Sequence, residues 1–237
     1  MTMSSRSDDS RVMKTEMKDY CFPEKGKSAL LTISAQRDFG RADSPICAKG
    51  MERALPAMLR LVESFRKRSA PIFHSVRLYR PDGSNVEPCR RSAVEEGLRI
   101  FMPGSFGAEL IDALNPNPDV RLDPVVLLNG GLQELAPNEF VFYRPRWGAF
   151  HNTPLEAELR SRGITTVVIC GFSFSTGTRA TVYEASARDF RIVVVPDAIS
   201  NASDSAIAEL GRLGVYLMQS KSCCPWIAGA GPGPVAA

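Results

Sequence analysis

Short runs of β-branched and apolar residues alternate along this chain with longer stretches whose apolar positions recur every three to four residues. Ala29 to Ile33, Ala70 to Val76, Phe140 to Tyr143, Thr165 to Cys170 and Arg191 to Val195 predict strands, and Val215 to Met218 is a weaker candidate. Between them, residues 52–69 carry Leu55, Met58, Leu59, Val62 and Phe65 on one side at helical spacing. That stretch ends in Arg66, Lys67 and Arg68, which suit a helix C-terminus and read as a solvated end. Thr153, Pro154 and Glu156 predict a capped helix start that runs to a stop at Gly163, and a further helix is expected over residues 177–189. Residues 78–138 hold Pro, Gly and Asn clusters and are expected to form a long excursion with short helices, of a kind that is often functional.

Strands alternating with helices are the signature of repeated βα units and a parallel sheet. The expected architecture is a three-layer α/β/α domain with a mainly parallel, Rossmann-like central sheet of about six strands. No repeat or low-complexity linker divides the middle, so residues 21–222 are read as one domain. Residues 1–20 are read as a flexible N-terminal arm and residues 223–237 as a flexible C-terminal tail.

Composition narrows the partners. A hydrophobic content of 44% is enough to fill a core, and 29 basic against 26 acidic residues leave a net charge of +3. That is too little to argue for nucleic acid or an acidic membrane surface, so a small molecule is the expected partner. No apolar run reaches the roughly 20 residues of a membrane span, and the N-terminus has no signal-peptide core, so a cytoplasmic protein is expected. The six cysteines form no C-x-x-C pair and read as free thiols. With only His74 and His151 present, a zinc site built on several imidazoles is not expected.

In an open parallel sheet, ligands bind outside the carboxyl ends of the strands. Three segments fall there: SAQRDFG from Ser34, YRPRWGAF from Tyr143, and GFSFSTGTR from Gly171. In this order and spacing they resemble the motifs of the isochorismatase-like cysteine hydrolases, a superfamily that includes nicotinamidases, N-carbamoylsarcosine amidohydrolases and isochorismatases. The likeness covers roughly residues 28–220. ALLTISAQRDFG is similar to the family's ALLxIDxQNDF, and YRPRWGAFHNTPLEAEL to its K-P-R-x-S/G-A-F-x-x-T-x-L-E. GFSFSTGTRATVYEASARDFRIVVVPDAIS is similar to its third motif and the strand after it. HSVRLYRPDGSNVEPCRRSAVEEG, followed by PGSFGAEL, resembles one amidohydrolase-like branch.

The resemblance implies a catalytic triad of Asp, Lys and Cys, with the thiol at a helix N-terminus where the dipole lowers its pKa. Here the Asp position holds Ser34, the Lys position Arg144 and the Cys position Gly177. A serine is no base at neutral pH, an arginine does not readily release a proton, and a glycine has no side chain to acylate. Isochorismatases, which the resemblance describes as cleaving a vinyl ether without a thiol, also carry glycine at this position but keep the Asp. Cysteine-amidase chemistry is therefore not expected of this chain.

What remains is a pocket. Backbone N–H groups near Ser173 and Gly177 offer an anion site, and Arg144, Arg77 and Arg179 offer positive charge to an acidic small molecule. Arg179 is equally open to pairing with a structural carboxylate such as Glu184 or Asp38. Gln36 and Asp38 are expected to secure the first loop, Asp38 with a secondary candidacy as a relocated acid or base. Trp147 and Phe172 are expected as pocket walls, the latter narrowing the cavity. Two readings follow. One is an enzyme acting on a small anionic metabolite by non-thiol hydrolysis or lyase-type chemistry, and the charge kept at Arg144 inclines toward a ligand-directed role of some kind. The other is a catalytically inactive pseudoenzyme serving as a metabolite-binding or scaffold subunit. No cofactor is assigned, and no metal, because the family's Asp and His ligand cluster is not recognisable here. A homo-oligomer is what the resemblance implies.

Overall fold

The computed structural model of the chain describes residues 18–234. Most of the expected N-terminal arm, residues 1–17, and the last three residues of the expected tail lie outside the described residues. In chain order the elements are β1 (Ser28–Ile33), α1 (Arg37–Gly40), α2 (Met51–Lys67), β2 (Ile72–Val76), α3 (Pro88–Glu95), α4 (Pro124–Leu128), β3 (Leu132–Ala136), β4 (Glu139–Tyr143), α5 (Leu155–Ser161), β5 (Thr166–Gly171), α6 (Arg179–Ser186), β6 (Arg191–Ile199), α7 (Asp204–Gly211), β7 (Tyr216–Leu217) and α8 (Ser220–Ala228). One π-helical turn, Phe174–Thr178, leads into α6.

The strands form one sheet in the order β3-β4-β2-β1-β5-β6-β7, parallel throughout except for β3, which runs antiparallel to β4. The central strands are apolar on nearly every position because both faces are covered. In β5, Val168 and Cys170 join the cluster under α2 and α8, while Val167 and Ile169 join the cluster under α5, α6 and α7. The same alternation holds in β6, with Val193 and Val195 on one face and Ile192 and Val194 on the other.

Where β1 and β5 leave the sheet their backbones close together. A Cβ at Gly171, whose φ is +144°, would strike the backbone of Ile33, so glycine is required at that crossing. On the other side of β1, a polar chain is buried between the strands and α2. His74 Nδ1 lies 2.7 Å from Thr32 Oγ1, His74 Nε2 donates to Glu139 Oε1 at 2.8 Å, and Arg66 grips the same carboxylate with two bonds of 2.7 and 2.8 Å. Burial alone would raise the Glu139 pKa, but the donors Arg66 and His74 outweigh it and hold the carboxyl down at about 2.

Three expectations need correction. Arg66 is not a solvated helix end, since its guanidinium is committed to Glu139 and to the Leu114 carbonyl. A seventh strand, β3, was hidden in the polar excursion, where LQELA offers half-buried positions and no β-branched run. Residues 223–228, expected in a flexible tail, belong to α8, with Cys223, Trp226 and Ile227 packed into the core beside α2. Burial of one large aromatic and two further apolar side chains outweighs the weak helix signal of CCPWIA.

Candidate functional site

Four of the strands deliver one residue each to the carboxyl edge of the sheet: Ser34 after β1, Arg77 after β2, Arg144 after β4 and Phe172 after β5. Ser34 is wholly buried with φ +54°, and its N–H donates to the Ser75 carbonyl at 3.0 Å. Arg144 is also buried, 2% exposed. Its Nη1 donates to the carbonyls of Arg146 and Trp147 at 2.9 and 2.5 Å, and its Nη2 donates to Ser34 Oγ. Among the described residues its Nε has no partner, and no carboxylate pairs with the guanidinium. Burial, reinforced by the charge of Arg77, pulls the Arg144 pKa down to about 9.

Gly177 stands in the π-helical turn directly against this guanidinium. A Cβ placed on Gly177 would lie 2.7 Å from Arg144 Nη2 and 2.8 Å from Ile33 Cγ2, closer than side-chain carbons approach. The volume in which a side chain at position 177 would extend is taken by Arg144 and Ile33. The structure thus brings Ser34, Arg144 and Gly177 together, as the motifs predict, but as a filled contact with no open volume between them. None of the principal cavities among the described residues is lined by any of the three.

The flanking residues are equally committed. Arg77, expected to face an anionic ligand, forms an ion pair with the buried Glu87, donates to Tyr79 Oη at 3.1 Å and to the Arg146 carbonyl at 2.5 Å. Tyr79 Oη in turn donates to Glu87 at 2.5 Å, so the counter-charge is supplied internally. Gln36 binds the Arg77 backbone on both sides, accepting from its N–H at 2.7 Å and donating to its carbonyl at 2.9 Å, with a third bond to the Ala108 carbonyl. Asp38 accepts from the Phe101 N–H at 2.6 Å and packs so tightly on Gly107 that a Cβ there would collide with its carboxylate. It anchors the first loop, as expected. Trp147 lies under Arg90 and Arg77, 4.9 and 5.3 Å from its ring centre. Phe172, expected as a pocket wall, is buried in the core on the α2 face and lines none of the principal cavities among the described residues. Ser173 is half-buried, its Oγ 3.4 Å from that of Ser175.

Of the predicted ligand groups, Arg179 lines one of the principal cavities. It pairs with Glu209 at 2.9 Å, not with Glu184 or Asp38, and lies over the Phe174 ring. Glu184 instead accepts the Phe150 N–H at 2.8 Å. The space that Arg179 borders is a cleft of about 730 Å³ at the end of β6, between the start of α2 and the π-helical turn. Sequence reading missed this cleft because Lys49 and Arg53, on one side of it, belong to none of the three motif segments, although Phe174, Ser175 and Arg179 on the other side lie in the third. Glu87 was missed too; its only signal was a lone acid just before a proline-started helix.

An isochorismatase domain model matches residues 129–221. A solved isochorismatase family protein from Desulfovibrio vulgaris superposes with a TM-score of 0.72 at 27% identity, over 85% of this chain and 98% of that one. The chain has the fold of that solved protein, and over residues 129–221 it is similar to the isochorismatase family. It is 29% identical, over 81% of its length and 88% of the relative's, to a protein of Arabidopsis thaliana described as a probable inactive nicotinamidase. The N-carbamoylsarcosine amidase of Thermoplasma acidophilum shares the fold, with a TM-score of 0.64 at 23% identity over 82% of this chain and 96% of that one. Among the described residues, no group of three or more His, Cys, Asp or Glu side chains comes together to hold a metal. No helix among them is long and apolar enough to cross a membrane.

Proposed function

We propose that this protein is a non-catalytic member of the isochorismatase-like hydrolases, serving as a binding or scaffold subunit. The observation that carries this reading is the Arg144 guanidinium lying against Gly177, where a side-chain nucleophile would stand, with Ser34 as its hydrogen-bond acceptor. Catalysis by this fold would need a group able to move a proton and a volume in which a reacting atom can sit about 3 Å from it. Ser34 has no neighbouring base, Arg144 holds its proton at neutral pH, and Arg77 is neutralised by Glu87. The similarity to a relative described as a probable inactive nicotinamidase supports the same reading.

The test compares the natural protein with Ser34→Asp/Arg144→Lys/Gly177→Cys by mass-spectrometric detection of product from nicotinamide, N-carbamoylsarcosine, ureidoacrylate and isochorismate. The natural protein is expected to give no product above a heat-inactivated control, whatever the restored variant does. Product formed by the natural protein, and lost in Arg144→Ala, would favour instead an enzyme of non-thiol hydrolysis or lyase-type chemistry.

A further inference from the structure

The cleft at the end of β6 is built differently from the filled triad contact. One rim is the start of α2, the longest helix described, whose N-cap is Gly50 in the left-handed conformation with no side chain capping it. Lys49 and Arg53 flank that helix start and are both exposed. Among the described residues Arg53 pairs only with Glu52, at 3.8 Å, and Lys49 forms no ion pair. Arg179 adds a third cation on the opposite rim, already shared with Glu209. The one acid in the lining, Asp197, is occupied by Ser220, through its N–H at 2.7 Å and its Oγ at 2.6 Å, with Arg60 at 3.8 Å. An unspent excess of positive charge therefore faces the cleft, and the positive end of the α2 dipole adds to it.

The rest of the lining is mixed: Phe174, Pro196, Ile199 and Ala206 are apolar, while Ser175, Asn201 and Ser203 add polar groups. A volume of about 730 Å³ falls within the ordinary size of small-molecule sites.

We propose that this cleft is a binding site for a small organic carboxylate, its charged end set between Lys49, Arg53 and the start of α2 and its apolar body against Phe174 and Ile199. The site lies outside the triad contact and does not depend on whether that contact turns over any substrate. It does share the π-helical turn with it, so a bound carboxylate would sit next to Ser175 and Arg179, on the segment that carries Gly177.

Isothermal titration of the full chain with benzoate, and with benzamide as the neutral counterpart, tests this directly. Benzoate is expected to bind saturably, more weakly as salt rises, and about tenfold more weakly in Lys49→Ala/Arg53→Ala. Phe174→Ala is expected to weaken it as well, whereas Ser34→Ala, at the triad contact, is expected to leave it unchanged. Both rim cations are exposed, so the double variant is expected to keep the native unfolding midpoint and the comparison stays readable. Absence of saturable benzoate binding, equal binding of benzamide, or undiminished binding by the double variant would overturn the proposal. A result of either kind leaves the turnover comparison of the natural and restored proteins unaffected.

Discussion

Arg144 and Gly177 act as one unit. A long cation at one position and the absence of any side chain at the other fill the same volume, so neither substitution is intelligible alone. Gly177→Cys in the natural background is therefore expected to destabilise the fold by about 1–3 kcal/mol, because the new Cβ meets Arg144 Nη2 and Ile33 Cγ2 in a packed site. Adding Arg144→Lys withdraws the guanidinium and is expected to recover part of that loss. Urea unfolding midpoints of the two variants check both statements, and a Gly177→Cys protein as stable as the natural one would show that the volume is free. The identities of Ser34, Arg144 and Gly177 were legible in the motifs, and so was the loss of a thiol. Their contact was not, because motif spacing aligns positions and says nothing about how far a substituted side chain reaches. For the same reason Arg77 read as a ligand group: its partner Glu87 lies ten residues on, in a loop with no periodic pattern to place it.

Among the elements, the buried chain from Thr32 through His74 and Glu139 to Arg66 ties β1, β2, β4 and α2 together. Glu139 has a folded pKa of about 2 against an ordinary value of 4.5. A carboxyl held down in the folded state stabilises it fully above the unfolded pKa, and the contribution is lost as pH falls from about 4.5 toward 2. A shift of that size corresponds to about 3 kcal/mol. Glu139→Gln is expected to lose about 2–3 kcal/mol at pH 7 and to flatten the decline of stability between pH 4.5 and pH 2, as read by denaturant unfolding along a pH series. An unchanged acid limb would mean that another carboxylate dominates it. The strands of this network were legible because β-branched runs are unmistakable in a sheet covered on both faces. The edge strand β3 was not, since it is only partly buried and its residues, LQELA, favour a helix over a strand. Helix α8 was likewise hidden by Pro225 and the glycines after it. Trp226→Ala is expected to lower stability by about 3–5 kcal/mol, and no change in the unfolding midpoint would return this segment to the status of a loose tail.

At the scale of the whole molecule, the sheet order carries the carboxyl ends of β2, β1 and β5 to one place, and that place is closed. An open cleft lies one strand over, at the end of β6, where cationic side chains and apolar residues line the same volume. The fold class followed from the alternating patterns. The cleft did not, because it is framed by a helix start and a strand end that are far apart in the chain and carry no pattern in common. The central claim is that the filled contact around Arg144 performs no chemistry. Its most direct test is to incubate the natural protein at high concentration with the amide, ureide and vinyl-ether substrates and to follow product by mass spectrometry beside Arg144→Ala. The account predicts no product from either protein above the heat-inactivated control. Product from the natural protein that disappears in Arg144→Ala would contradict it.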